Sequence, residues 1–237
     1  MSTMLESLLK SGFEELGLAA DERLLQRYRI YFEYLEEMNK VMNLTAISGE
    51  EDVARLHFLD CAQIAKEFPL SGKKLIDVGT GAGFPGLALK IACPEAKVLL
   101  LDSLDKRINF LKNCCEKLEL ENVDCIHARA EEAAAEMRES FDYATSRAVA
   151  RMNLLAELCL PFVKVGGCFV AMKGPDCSEE INEAGRAIAL LGGQLEKRID
   201  YTIPGTDIVH SLVVVKKVKP SPAKYPRRWA QIKKQPL

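Results

Sequence analysis

Residues 75–86 read LIDVGTGAGFPG, an apolar run that meets one acid and then opens into four glycines. That order describes a strand entering a tight turn and a helix, with glycines letting the backbone pass close to a ligand. Two patterns overlap in the stretch. Gly81, Gly83 and Gly86 make a G-x-G-x-x-G, whereas Asp77, Gly79, Gly81 and Gly83 make a D-x-G-x-G-x-G. The two imply different ligands, and the surrounding sequence discriminates between them.

Outward from this stretch, short apolar runs alternate with amphipathic ones. LIDV is followed by KVLLLD, NVDCIH, FDYATS and CFVAM, with helical spacing at about 84–92, 105–119, 130–138, 150–161 and 178–191. Such alternation predicts a parallel sheet with helices on both faces. The end of the pattern differs. QLEKRIDYTI and DIVHSLVVVKK are joined only by Pro204, Gly205 and Thr206, too short for a parallel crossover, so they form an antiparallel hairpin. Upstream, residues 3–16 and 22–41 carry apolar residues at helical spacing, and a third helix starts near Glu50 with Ser48 as its N-cap. The expected organisation is a helical extension over 1–70, an α/β domain over 71–218 and a basic tail over 219–237.

Charge favours the second glycine pattern. A dinucleotide pyrophosphate is repelled by a carboxylate at Asp77, whereas the ammonium and sulfonium of S-adenosylmethionine are attracted by it. Pro85 removes an N–H from the first helical turn, and bulky Phe84 stands where phosphate would enter. A sheet closing on a reversed strand also departs from a dehydrogenase, which would end on a sixth parallel strand, and instead resembles the S-adenosylmethionine-dependent methyltransferases. With that resemblance the expected fold is a Rossmann-like class I S-adenosylmethionine-dependent methyltransferase. Its mostly parallel seven-stranded sheet ends in an antiparallel hairpin. Asp77, Gly79, Gly81 and Phe84 would form the cofactor loop. Asp102, 19 residues after Gly83, suits a ribose diol or an N-cap, and Ala130 with Glu131 lies where adenine would sit.

Composition sets the outer limits. The 237-residue chain is 48% hydrophobic and 28% charged, the profile of a globular protein. Its N-terminus lacks the basic start of a signal peptide, and no apolar run approaches the roughly 18 residues of a membrane span. A cytoplasmic, monomeric protein without membrane contact is expected. Eight cysteines include no C-x-x-C, so they read as small hydrophobes, and no metal is expected. From Lys216 onward there are eight basic residues and no acid, leaving 24 basic against 34 acidic residues upstream. A cationic tail on an acidic body points either to a polyanion partner or to a solvated segment.

The fourth strand leads into TSRAVA (Thr145–Ala150). This loop lacks the Asn/Asp-Pro-Pro-aromatic pattern that meets exocyclic amines and the cysteine that cytosine C5 chemistry needs. Arg147 stands there instead. Guanine N7 carries a lone pair and no proton to lose, and its O6/N7 edge is a usual partner of arginine. A non-enzymatic RNA-binding factor on the same fold is a further alternative, which intact Asp77, Gly79 and Gly81 argue against.

NLTAI (Asn43–Ile47), RLHFLDC (Arg55–Cys61), DVGTGAGFPG (Asp77–Gly86), LDSLDKRINFL (Leu101–Leu111), ARAEE (Ala128–Glu132), TSRAVA and MKG (Met172–Gly174) occur in this order. Together they resemble the bacterial 16S rRNA guanine-N7 methyltransferases, long called glucose-inhibited division protein B. The resemblance implies methyl transfer from S-adenosylmethionine to one guanine in the decoding region of the small ribosomal subunit. It also implies that Gly79, Phe84, Ala130, Glu131 and Arg147 line the cofactor site. The family tail commonly reads Pro-Arg-Lys-Ala-Gly-x-Pro, where this chain has PRRWAQIKKQPL.

The remaining candidates carry two readings each. His57 either closes a helical patch over the target or pairs with Asp60 to tie its helix to the sheet. Asn43 is either a donor in the catalytic pocket or a C-cap. Arg129, Arg147 and Lys173 follow strands three, four and five, whose ends face the ligand crevice, and suit an RNA backbone. Arg227 and Arg228 in the tail extend that cationic footprint. His127 and His210 read as ordinary strand residues, and Trp229 either stacks on a base or docks on the body.

Overall fold

A computed structural model describes residues 3–237. The chain opens with α1 (Met4–Glu15), α2 (Glu22–Met42) and α3 (Glu50–Val53), then a π-helical segment Ala54–Leu59 that runs into α4 (Asp60–Glu67). Asp21 caps α2 through a bond from Leu24 N–H. Ser48 does not cap α3; the chain enters that helix through Gly49 at φ 86°, which sets Ser48 one residue too far out.

The strands are β1 (Lys74–Val78), β2 (Lys97–Asp102), β3 (Val123–His127), β4 (Phe141–Arg147), β5 (Val163–Lys173), β6 (Gly193–Thr202) and β7 (Val209–Lys217). They form one sheet in the order β3-β2-β1-β4-β5-β7-β6. β1 to β5 pair in parallel, and β7 lies antiparallel between β5 and β6. The continuous apolar runs of β1 and β2 are those of strands covered on both faces. The crossovers are α5 (Gly86–Ala92), α6 (Asp105–Lys117), α7 (Ala130–Glu136), α8 (Met152–Cys159) and α9 (Ser178–Leu190). Among the described residues, no helix is long and apolar enough to cross a membrane. All eight cysteines carry free thiols, six of them buried.

Two cores sandwich the sheet. On one face, Tyr28, Tyr31 and Phe58 of the helical extension pack continuously with Leu87, Phe110 and the sheet residues Leu75 and Leu100. Phe58, fully buried, sits 4.6 Å from the Tyr28 ring and 5.3 Å from the Tyr31 ring. On the other face, Ile76, Leu101, Phe162 and Phe169 pack with Tyr225 and Ile232 of the C-terminal segment. That segment is ordered, ends in α10 (Trp229–Lys234) and is gripped by Arg138, which donates to the carbonyls of Ser221, Pro222 and Tyr225 at 2.7–2.9 Å. Neither the helix nor the grip is legible in the local pattern, because both depend on residues 70–98 positions upstream.

Because the first core is continuous, the helical extension and the sheet should unfold together. Phe58→Ala should lower stability by ~3–5 kcal/mol in a single urea transition. Two resolved transitions would show that the extension is a separate folding unit.

Candidate active site

The strand order reverses between β1 and β4, and open parallel sheets bind ligands at that switch, beyond the carboxyl ends of the strands. A cleft of about 530 Å³ lies there, lined by Gly79, Gly81, Phe84, Asp102, Arg147 and Trp229 among others. Its floor is the glycine turn. Gly79 and Gly81 have φ 73° and 61°, in the left-handed region that L side chains rarely adopt. A Cβ on Gly79 would stand 2.7 Å from Val149 Cγ2, whereas one on Gly81 would meet only the Gly79 carbonyl at 4.0 Å and so fill the cleft. Gly83 supports the floor from below, where the Tyr31 hydroxyl donates to the Ala82 carbonyl at 2.5 Å.

Asp77 plays a different part from the one its charge suggests. It is fully buried beneath the turn, where its Oδ2 accepts Gly86 N–H at 2.8 Å and its Oδ1 accepts the Thr145 hydroxyl at 3.4 Å. Burial pushes its carboxyl up to about 6, against the hydrogen bonds that favour the anion. It braces the loop and does not line the cleft. Asp102 does line it, with Oδ2 accepting Gly81 N–H at 2.9 Å and Oδ1 accepting Leu104 N–H at 2.9 Å. Leu104, not Asp102, is the N-cap of α6. Arg107 approaches the same carboxylate at 3.3 Å.

Arg147, at the end of β4, joins the cleft to the helical extension. Its Nη1 donates to the Leu56 carbonyl at 3.0 Å and to Asp60 Oδ2 at 3.1 Å, and its Nη2 donates to His57 Nδ1 at 2.7 Å. The π turn makes this geometry available. Asp60 N–H bonds to the Arg55 and His57 carbonyls, leaving the Leu56 carbonyl to receive the guanidinium. Asp60, 1% exposed, also accepts the Tyr201 hydroxyl at 2.7 Å and pairs with His210 Nδ1 at 2.9 Å. The buried carboxylate is thus compensated from three sides, as burial of a charge demands.

His57 therefore does not pair with Asp60; Arg147 and His210 hold that acid. The ring of His57 stacks on Phe84 with centroids 4.1 Å apart, and Arg147 lies 4.9 Å above the same phenyl ring. Nδ1 lies 2.7 Å from Arg147 Nη2 and 3.2 Å from the Leu56 carbonyl; because a guanidinium can only donate, the shorter contact makes Nδ1 an acceptor and assigns the proton to Nε2, which donates to Thr45 Oγ1 at 2.9 Å. Burial first, and then the Arg147 charge, push its pKa down to about 3. Thr45 also accepts Ile47 N–H at 3.1 Å, so its own hydroxyl proton remains for the cleft that it lines.

Ala130 and Glu131 line the cleft beside exposed Arg129. Three cation or polar assignments fall elsewhere. Asn43 is exposed and ends α2 in the left-handed region at φ 49°, ψ 57°, a C-cap that does not itself line the cleft, although Leu44 and Thr45 after it do. Lys173 is folded onto Glu180 at 2.8 Å and the Ala150 carbonyl at 2.9 Å, which removes it from the cationic rim. Arg227 is consumed by buried Glu157 at 2.7 Å, so it offers no free charge to RNA, whereas Arg228 is exposed. Thr45, Arg107 and His210 take part in the site although the local pattern gave them no such role, and Trp229, read as either stacking on a base or docking on the body, lines the cleft. Thr45 and His210 act through His57 and Asp60, 12 and 150 residues away, and Arg107 reaches back from α6 to Asp102 at the end of β2, a pairing that no helical spacing announces.

A family model described as rRNA small subunit methyltransferase G matches residues 24–202. The chain belongs to that family, GidB. Ribosomal RNA small subunit methyltransferase G of Clostridium perfringens strain SM101 is 47% identical, covering 97% of this chain and 98% of that protein. Its counterpart from Alkaliphilus metalliredigens is 48% identical over the same shares. Among solved structures, M. jannaschii TYW2 in complex with AdoMet aligns at TM-score 0.54 and 14% identity, covering 67% of this chain and 75% of its own. The precorrin-6y C5,15-methyltransferase of Geobacter metallireducens aligns at 0.50 and 14%, covering 75% and 92%. These two share the methyltransferase fold with the GidB-family chain.

The neutral His57 makes a signed prediction. Its folded pKa lies below the ordinary 6.5, so below about pH 6.5 the unfolded chain binds the extra proton and acid destabilises the fold. The stability difference between wild type and His57→Gln should fall by ~1.4 kcal/mol per pH unit between pH 6 and 4. A flat difference in urea titrations would show that His57 titrates normally.

Proposed function

We propose that the chain transfers a methyl group from S-adenosylmethionine to N7 of one guanine in the decoding region of 16S rRNA. It acts on the small ribosomal subunit, in the cytoplasm and as a monomer. The observation that carries this is the overlap of family and cleft. The family match over residues 24–202 contains every wall of the cleft except Trp229. The residues suit the cofactor: the glycine floor leaves room where a Cβ would fill the cleft, and Asp102 and Glu131 offer carboxylates at its edge.

When bound, the cofactor supplies an electrophilic methyl group. The protein's part is positioning and electrostatics. Asp102, already orienting Gly81 N–H, is the acceptor for ribose hydroxyls, and Ala130 and Glu131 flank the adenine. Arg147 has five N–H donors and commits three bonds to protein, so it keeps donors for a carboxylate or a guanine edge. Guanine N7 needs no base, and the site matches that requirement. His57 is neutral with Nδ1 occupied, and its Nε2–H orients Thr45 so that the threonine hydroxyl proton points to an acceptor such as guanine O6. Arg129 and Arg228, both exposed, favour the phosphate backbone at the mouth.

Labelled S-adenosylmethionine should deliver methyl to 16S rRNA in 30S particles from a methylation-deficient strain, with strand scission at one guanine after borohydride and aniline. Unlabelled rRNA under conditions where the cofactor binds would refute the activity. Arg147→Lys keeps the charge but loses the fork, and should lower kcat/KM by roughly 10–100-fold. Replacing Arg228, Lys233 and Lys234 together by alanine should flatten the slope of log K for RNA against log salt by about 2; an unchanged slope would place the RNA footprint elsewhere.

A further inference from the structure

The C-terminal segment is held far more firmly than a solvated arm would be. Glu157 on α8 is fully buried, and among the described residues its carboxylate is satisfied by Arg227. Oε1 accepts the Arg227 backbone N–H at 2.8 Å and Nε at 2.9 Å, and Oε2 accepts Nη2 at 2.7 Å. Releasing the segment would strand a buried, unpaired anion, which is strongly unfavourable. Five residues later, Ile232 is fully buried in the core of that face. Trp229 lies between these two fixed points.

Its own environment is specific. The Trp229 backbone N–H donates to Glu131 Oε1 at 3.1 Å, and the side chain, like Ala128 and Ala130, packs against the buried core of that face and lines the cleft. It is half-buried, and it lines the same cleft as the glycine floor. Glu131 Oε2 has no hydrogen-bond partner among the described residues. An aromatic face beside a carboxylate oxygen that accepts but cannot donate suits a purine bearing an amine, and stacking on an aromatic ring tolerates the flat face of any base.

We propose that Trp229 is the adenine-side wall of the cofactor cleft, carried there by the Arg227–Glu157 clasp, so that the C-terminal segment completes the cofactor site. The inference rests on the cleft taking S-adenosylmethionine. Arg227 is then a positioning residue, acting on the cofactor only through Trp229. Glu131 divides its carboxylate between the two, Oε1 fixing the tryptophan backbone and Oε2 receiving the adenine amine.

Trp229 is the chain's one tryptophan, so intrinsic fluorescence reports on this position alone. The probe is S-adenosylhomocysteine titrated into the full chain, followed by emission and, separately, by calorimetry. Emission should change along the calorimetric binding curve. Trp229→Ala should weaken binding about 10-fold, or ~1.4 kcal/mol, whereas Trp229→Phe should stay within about 3-fold. Arg227→Ala should raise KM for S-adenosylmethionine by a similar factor at unchanged kcat, and the double variant should be no weaker than either single one. Calorimetric binding with unchanged tryptophan emission, or Trp229→Ala binding as tightly as wild type, would overturn the assignment. Additive losses would show that Arg227 does not act through Trp229. If wild type shows no calorimetric binding at all, the cofactor reading itself falls and this assignment with it.

Discussion

One guanidinium organises the site. Arg147 leaves the sheet at the end of β4 and binds three groups of the helical extension: the Leu56 carbonyl, His57 and Asp60. Its charge is buried over the Phe84 ring, so the carboxylate of Asp60 must be equally buried to compensate it. Asp60 in turn recruits Tyr201 and His210 from the terminal hairpin. A single ion pair therefore ties the extension, the centre of the sheet and its reversed edge to one wall of the cleft. The π turn at Ala54–Leu59 is part of the same device, because regular α-helical spacing would send the Leu56 carbonyl to Asp60 N–H.

The glycine turn is fixed from the opposite side by groups that never touch the cleft. Asp77 holds Gly86 N–H from beneath, and Tyr31 holds the Ala82 carbonyl from α2. A loop that must accept a ligand keeps its left-handed residues open above while buried acceptors and donors fix it below. His57 completes this pattern chemically. Pinned as a neutral donor between Arg147 and Thr45, it passes orientation to a hydroxyl and takes no proton. A site of this kind suits an acceptor that already carries a lone pair.

Much of the fold was legible in residues 75–217. The strand–helix alternation, the Pro-Gly turn and the continuous apolar runs are local patterns, and the structure realises them as β1 to β7 in the expected directions. The glycine motif likewise located the cleft floor. Charge reasoning on Asp77 failed because sequence gives the presence of an acid but not its burial. It failed again at Lys173, a cation placed at the crevice by its position after a strand, and at Arg227 in the tail, which Glu180 and Glu157 respectively neutralise. Asn43 shows the converse, since its left-handed C-cap conformation is a local property that one of its two sequence readings named.

The sequence by itself determined the period of each element, the glycine turn and its place at the end of a strand, and membership of the GidB family. Those are short-range or pattern properties, set by backbone sterics and the spacing of apolar side chains. Only the tertiary structure decided which charges remain free. It paired Asp60 with Arg147 and His210, 87 and 150 residues away, and Glu157 with Arg227, 70 residues away. A buried charge is tolerated only where a partner reaches it, and which partner does so is a property of the packed chain.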